Sequence, residues 1–531
     1  MIDNYFPFSQ FRQNQREILH EARDAFNSGI EVVIIEGPTG FGKSPVNIAL
    51  GRSFAPSFYT TPQVQLVKQI AKDFGPEELA INGGYGNIVA LLGRKNYICK
   101  ATNKQSDRCP IRDDYETPCS QVANCTYSIQ KEATMKARVA VITFAMLILN
   151  SFVRGYNRFS KRNLLIVDEC HNLENQVASM FAGVGISPYI LPKRLQNKYW
   201  YRIIKQFPQS RKVEDYILAF TDLKEKLYHD VYYDLERAHE RDKIEDFLRR
   251  LEYMLDELHD GRTWVIQNSK VKFNGSWERK IILKPIYVDR FLRRTIFAHA
   301  KKHIILSTAT VPFRKDPQKW LYRLGLGDKS FKLFSVPMTF PLRNRPIIFL
   351  ENGGKMTNSL EDKNWAKNLG YIKAILRSHK GEKGVIHTQS YERAKRLAKD
   401  LNSEIFLHDK QKVDGDVIQA WIKSKKQVLL SPAIKEGVDL RGEMCRFQIL
   451  LKVPYPHAGD KRVKFLLEEK KAWNWYFNEA SRDITQIYGR AIRSKEDYAT
   501  LYIIDKSFGD VLRRASFPGY FLDAIQNKKE V

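Results

Sequence analysis

One nine-residue stretch, Glu36-Gly37-Pro38-Thr39-Gly40-Phe41-Gly42-Lys43-Ser44, constrains the fold of this chain more than any other. The run before it, Val32-Val33-Ile34-Ile35, is apolar at every position and reads as a strand buried on both faces. Val46-Asn47-Ile48-Ala49-Leu50, after it, reads as the opening of a helix. Strand, Gly-x4-Gly-Lys-Ser and helix in that order make a phosphate-binding loop. Backbone N–H groups around Gly37, Thr39, Gly40 and Gly42 can close on phosphate oxygens, and the helix N-terminus adds favourable partial charge. Lys43 supplies a point charge for β- and γ-phosphates, and the Ser44 hydroxyl is placed to ligate Mg²⁺. Pro45 falls in the first helical turn, where a missing N–H costs little. The expectation is an α/β protein that binds a nucleoside triphosphate.

At 531 residues the chain has room for about three or four domains. Its hydrophobic fraction of 43% supports sizeable cores, which excludes a disordered tail. The net charge of +27, from 87 basic against 60 acidic residues, points to a polyanionic partner. No apolar run is long enough to span a bilayer, and the first residues lack the apolar core of a signal peptide. A cytoplasmic protein, nuclear in a eukaryote, is expected, and there cysteines serve as ligands or thiols more than as disulfides.

Four of the six cysteines, Cys99, Cys109, Cys119 and Cys125, fall within 27 residues, while Cys170 and Cys445 stand apart. Such a cluster suggests a structural zinc or an iron–sulphur cluster. Zinc sites favour paired C-x2-4-C knuckles, and spacings of nine, nine and five residues contain none, which leans toward iron–sulphur, with zinc and four free thiols as the alternatives. Downstream, Leu164-Leu165-Ile166-Val167 ends in Asp168-Glu169-Cys170-His171. At the carboxyl end of a parallel strand Asp168 can hold Mg²⁺ opposite Ser44, while Glu169 orients and deprotonates the water that attacks the γ-phosphate. Upstream of the loop, Arg12 and Gln15 could reach adenine or phosphates, or form a solvated helix face. The hydroxyls of Thr60-Thr61-Pro62 could receive a nucleic-acid phosphate or cap a helix.

Apolar residues recur at helical spacing through Val213, Tyr216, Phe220, Leu223 and Leu227, and again through Ile244, Phe247, Leu251, Met254 and Leu258. Asn274-Gly275 between β-type runs reads as a hairpin turn. Ser307-Thr308-Ala309-Thr310 closes another buried strand. A second α/β pattern starts near Leu342 and carries Glu436-Gly437-Val438-Asp439 and Gln486-Ile487-Tyr488-Gly489-Arg490-Ala491-Ile492-Arg493. Arg490 and Arg493, three apart on a helix, share a face. Aimed across a cleft at a nucleotide, they would act as arginine fingers.

Taken in order, these motifs resemble the XPD/DinG-like iron–sulphur DNA helicases of superfamily 2. They are Arg12-x-x-Gln15, the phosphate loop, Thr60-Thr61-Pro62, Gly93-Arg94-x-Asn96-Tyr97-x-Cys99, Asp168-Glu169-x-His171, Ser307–Thr310, Glu436–Asp439 and Gln486-x-x-Gly489-Arg490-x-x-Arg493. The resemblance implies two RecA-like P-loop motor domains, the first carrying a four-cysteine cluster insert and a mainly helical arch. In this sequence that gives motor domain 1 at 1–92, 136–185 and 284–340, the cluster insert at 93–135, the arch-like insert at 186–283, and motor domain 2 at 341–531. It implies nucleotide contacts from Arg12, Gln15, Gly437 and Asp439 besides the phosphate loop and Asp168, and catalytic roles for Gln486, Arg490 and Arg493 besides Lys43, Asp168 and Glu169. It further implies ATP, Mg²⁺ and a [4Fe–4S] cluster. The implied protein is a monomer that binds single-stranded DNA and single-/double-strand junctions. It would move 5′→3′ and unwind duplex in DNA repair or replication. Departures are Cys170 where Ala is usual, Ala499 where Gly is usual and Ser507 where Arg is usual. A translocating ATPase that does not unwind duplex, an RNA helicase, and a binding module with a vestigial loop share some of these motifs. The intact Lys43, Asp168, Glu169, Arg490 and Arg493 argue against the last.

Overall fold

A computed structural model describes residues 2–75, 88–100, 102–106, 125–151, 159–180, 182–210, 212–235, 238–401, 405–408, 414–432, 440, 442–492 and 494–528. Cys109, Cys119, Gly437, Asp439 and Arg493 lie outside the described residues.

The first lobe is a parallel sheet of β1 (Val32–Glu36), β2 (Ser57–Thr61), β3 (Ile88–Ala90), β4 (Val139–Thr143), β5 (Arg162–Asp168), and two strands from beyond an insert. The insert contributes β6 (Val184–Ile186), β7 (Trp264–Phe273) and β8 (Ser276–Pro285), after which β9 (Ala300–Thr308) and β10 (Phe331–Ser335) return to the first sheet. The order is β10-β1-β9-β5-β2-β4-β3. Every residue of β1 and β2 is buried, because helices cover both faces of the sheet, which is why their sequences run apolar rather than alternating.

The second lobe repeats the architecture with β11 (Ile347–Leu350), β12 (Gly384–His387), β13 (Ile405–Leu407), β14 (Val428–Ser431), β15 (Phe447–Leu450), β16 (Thr500–Ile503) and β17 (Ile525–Lys528). All pairs are parallel, in the order β13-β14-β12-β15-β16-β11-β17. The chain thus has two RecA-like parallel-sheet α/β lobes. The short strands β3, β6, β10, β13 and β17 carry too little pattern to be read from sequence.

Between β5 and β9 the segment builds its own core. Tyr216, Phe220, Leu223 and Leu227 pack there with Ile244, Leu251 and Met254 of the helix Ala238–His259. The antiparallel sheet β6-β8-β7 closes this core. Asn274 and Gly275 both have positive φ, 47° and 83°, as a tight hairpin turn with the twist of its strands demands. Helices make up most of the regular structure of the segment, and the small sheet lies beside them. Ten-residue strands of period two, such as β7, form where the sequence alternates. Among the described residues no helix is long and apolar enough to cross a membrane.

Candidate active site between the lobes

The phosphate loop leaves the end of β1 and enters the helix Lys43–Ser53. Gly40 and Gly42 adopt positive φ, 87° and 82°, and Gly42 sits immediately before the helix. A Cβ on Gly42 would also run into the Gln15 amide, so backbone conformation and close approach both require glycine there. The Lys43 ammonium stays within the loop, donating to the Gly37 carbonyl at 2.9 Å.

Gln15 is turned away from solvent, while Arg12 stays exposed and both bond the phosphate loop. Gln15 is buried and its Nε2 donates to the carbonyls of Phe41 and Gly42, both at 3.0 Å. Arg12 Nη1 donates to the Gly40 carbonyl at 2.9 Å, and Arg12 N donates to Gln15 Oε1 at 2.7 Å. The two residues hold the outside of the loop in shape.

Asp168 ends β5, and Glu169 follows in the left-handed region at φ 52°. A non-glycine residue held there stores strain, a recurrent feature of functional sites. Tyr59, buried in β2, donates its hydroxyl to Asp168 Oδ2 at 2.7 Å, and Glu169 N donates to Oδ1 at 3.0 Å. Burial, then the Glu169 carboxylate, push the Asp168 carboxyl up to about 6 against the pull of Lys43. A buried Asp168 carboxyl beside the partly exposed Glu169 carboxylate suits a cation, and Ser44 and Asp168 both line the same cavity. Cys170 is buried beneath the pair, and burial drives its thiol far above the ordinary range. His171 Nδ1 lies 3.3 Å from Glu169 Oε2 and 3.1 Å from Thr308 Oγ1.

Ser307–Thr310 runs alongside the loop. Gly37 N donates to Thr308 O at 2.9 Å and Asn47 Nδ2 to Ser307 Oγ at 2.9 Å. From the second lobe, the Tyr520 hydroxyl donates to Ala309 O at 2.9 Å. The Thr60 and Thr61 hydroxyls are buried and donate within the lobe, to Ile166 O at 2.8 Å and Gln63 O at 3.0 Å.

The second lobe completes the cavity through the end of the helix Trp473–Tyr488. Gln486 and Arg490 join Arg12, Gln15, Thr39, Lys43, Ser44, Asp168 and Glu169 around a space of about 860 Å³. The lobes touch there: a Cβ on Gly489 would stand 2.6 Å from Thr39 Oγ1. Phe8, Phe11 and Phe74 give the cavity an apolar wall. Tyr59, Asn47 and Phe8 were not among the residues expected from sequence. The one signal for Tyr59 is a hydroxyl in a strand that is otherwise buried and pairs with the carboxylate strand.

His387 ends β12 behind Arg490 and shares a hydrogen bond of 3.1 Å with Gln448 Oε1. Burial, reinforced by the Arg490 charge, depresses it from 6.5 to about 4 despite Gln448, so the ring is neutral in the fold. The unfolded chain therefore binds a proton that the folded chain does not between pH 6.5 and about 4. Stability should fall as pH drops through that window, by roughly 3 kcal/mol at ~1.4 kcal/mol per pKa unit. Chemical denaturation of wild type and His387→Asn at pH 7 and pH 4.5 checks this. The variant should show a shallower loss, and parallel losses would contradict it.

In the cysteine segment the Thr126 hydroxyl donates to Ile98 O at 2.9 Å, which pins the chain neighbours of Cys125 and Cys99 together. Neither cysteine is in a disulfide, and Cys99 is buried. The Gly93–Cys99 motif builds this junction. The Arg94 guanidinium lies 4.3 Å from the Tyr127 ring centre, Asn96 Nδ2 donates to Gly93 O at 2.9 Å, and the buried Tyr97 accepts from Leu92 N at 3.1 Å. Among the described residues no three His, Cys, Asp or Glu side chains come together as a metal set.

Residues 8–221 match the family described as the res subunit of type III restriction enzyme, and residues 372–526 match the helicase C-terminal domain. The chain is 22% identical to a protein of Methanocaldococcus jannaschii named "Probable ATP-dependent helicase", over 97% of this chain and 94% of that one. It is 32% identical to the human regulator of telomere elongation helicase 1 over 99 residues, which are 16% of this chain and 8% of that protein. Two solved structures share the fold. An XPD helicase superposes with a TM-score of 0.65 at 16% identity, covering 98% of this chain and 100% of the other. The Xpd4 protein of S. tokodaii gives 0.56 at 17% identity, covering 97% and 100%.

Proposed function

We propose that the chain is a superfamily 2 helicase of the XPD/DinG-like type, an ATP-dependent DNA helicase translocating 5′→3′ on a single strand, a reading supported by the helicase family match, the helicase relative and the shared fold. One observation carries the reading: the phosphate loop and carboxylates of one lobe and Gln486 and Arg490 of the other line a single cavity. Loop N–H groups and Lys43 take the β- and γ-phosphates, and the phenylalanine wall takes the base. Ser44 and Asp168 hold Mg²⁺, which when bound neutralises charge on the phosphate oxygens. Glu169, with its neighbour His171, deprotonates the attacking water, Gln486 and Arg490 face the γ-phosphate from the second lobe, and Arg493 is assigned to the same charge by its place in the motif. Gly437 and Asp439 are assigned to the same nucleotide. A cleft that closes on ATP and reopens after hydrolysis shifts the grip on nucleic acid between lobes.

The basic charge supports a polyanionic track. Binding to single strands should be tolerant of sequence and fall by ~10³-fold between ~50 and ~200 mM salt for about six phosphate contacts. Filter binding across a salt series checks this, and salt-independent binding contradicts it. Of three candidate stacking aromatics on the helix Trp473–Tyr488, Trp475 is core and Tyr476 stacks on Tyr455 with ring centres 5.1 Å apart. Trp473 remains exposed and available for a base.

Cys99, Cys109, Cys119 and Cys125 are assigned to one [4Fe–4S] cluster, a reading supported by their clustering in sequence and by the Thr126–Ile98 hydrogen bond beside two of them. Bound there, the cluster would brace a segment that has little core of its own. Anaerobically purified protein should be brown with about four irons per chain. Colourless protein with one zinc would overturn the assignment.

The function itself is tested by ATP-driven strand separation on 5′-tailed, 3′-tailed and forked duplexes, made as DNA and as RNA. Opening of 5′-tailed and forked DNA supports the reading. Opening of 3′-tailed or RNA duplexes alone, or hydrolysis without opening, overturns polarity, substrate or helicase activity respectively.

A further inference from the structure

The carboxylate box runs directly into the helix Leu173–Met180, whose first turn carries Glu174 and Asn175. Glu174 is buried at the junction of three parts of the molecule. Arg323, from the same lobe, donates Nε and Nη2 to its two oxygens at 2.9 and 2.6 Å. Arg462, from the helix Lys461–Glu468 of the second lobe, donates Nη2 to Glu174 Oε1 at 2.6 Å. The same guanidinium reaches Asn175 Oδ1 at 3.3 Å and donates Nε to Ile286 O, at the base of the insert, at 3.0 Å.

The contact continues onto the helix Trp473–Tyr488. The Asn175 amide donates to Glu479 Oε2, Glu479 pairs with Arg482 at 2.7 Å, and Arg482 Nη1 approaches the His171 carbonyl at 3.5 Å. Arg482 also holds Asp483 at 2.8 Å. Three carboxylates and three guanidiniums thus form one cluster across the lobe boundary. Burial works against the charge on Glu174, yet Arg323 and Arg462 hold its carboxyl below the ordinary range.

The spacing matters. Positions 479, 482 and 486 are three and four apart and share one helix face. The face clamped to the carboxylate box is therefore the face that presents Gln486, with Arg490 just beyond the helix end. Surface ion pairs could not fix this register, because solvent weakens them. A buried cluster can, because removing one member leaves the others charged and unpaired.

We propose that Glu174 and Arg462, with Asn175, Glu479 and Arg482, are positioning residues that latch the helix Trp473–Tyr488 to the carboxylate box and so set Gln486 and Arg490 against the nucleotide. The latch acts on turnover and lobe closure and leaves nucleotide affinity to the phosphate loop. Through the Ile286 carbonyl the same guanidinium also holds the chain where it leaves β8 of the insert. The inference rests on the proposed ATPase function, and its test separates the two.

Glu174→Gln, Arg462→Gln and the double variant are compared with wild type by steady-state ATP hydrolysis and by small-angle X-ray scattering without nucleotide. Each single variant should lower kcat at least ~10-fold, about one unit of barrier at 1.36 kcal/mol, with KM within ~2-fold. Each should enlarge the radius of gyration as the lobes part. The double variant should be no worse than the poorer single one, as for members of one network. Wild-type kcat with wild-type scattering, a change confined to KM, or multiplying losses would overturn the latch. Glu479→Gln makes the same test at the other end if Glu174→Gln does not fold. If the wild type hydrolyses no ATP, the functional reading fails, and the scattering comparison still decides whether the pair holds the lobes together.

Discussion

Glu169→Gln is expected to lower ATP hydrolysis at least ~10²-fold in saturating single-stranded DNA while the protein still binds nucleotide. The amide has the shape of the carboxylate, so the left-handed turn at 169 and the buried Cys170 beneath it are undisturbed. It cannot accept the proton of the attacking water. The substitution also removes a negative charge that helps raise the Asp168 carboxyl to about 6. Asp168 should then ionise more readily and hold its cation at least as well. The loss should fall on kcat and spare affinity for a fluorescent nucleotide analogue. Hydrolysis at the wild-type rate would remove Glu169 from the role of base.

Arg490→Ala is expected to cost ~10³-fold or more in kcat, the scale set by arginine fingers in phosphoryl transfer. Arg490 comes from the lobe opposite the phosphate loop and is largely buried at the cavity wall. Its charge is useful mainly when the γ-phosphate is leaving, so KM should change little. Arg490→Lys keeps a charge but loses the planar fork and should recover only part of the rate. The charge also helps keep His387 neutral, so Arg490→Ala should raise the His387 pKa, visible by NMR titration. A change in KM alone would make Arg490 a ground-state contact.

Much of the site was legible because phosphate chemistry demands particular residue types close together in sequence. The loop around Lys43 and the pair Asp168-Glu169 are of this kind, each set by one strand end. The second lobe's contribution was legible as residue types at Gln486 and Arg490. Their approach to Thr39 depends on how two lobes dock, which no local pattern encodes. Gln15 shows the limit most plainly. As one polar position on an amphipathic helix it reads as solvated, and only the fold turns it against the loop carbonyls. Tyr59 and Glu174 were missed for the same reason: each finds its partners on elements distant in sequence. The insert's sheet was legible at the Asn274-Gly275 turn, whereas β6 is three residues long and pairs with a strand about a hundred positions away.

On the proposed function, the cleft between the lobes turns over ATP in response to nucleic acid. The most direct measurement is the steady-state rate of ATP hydrolysis by the full chain, with Mg²⁺, with and without saturating single-stranded DNA. The expected result is a basal rate that rises several-fold or more with DNA and vanishes in Lys43→Ala. No hydrolysis under either condition, or a rate that DNA leaves unchanged, would contradict it.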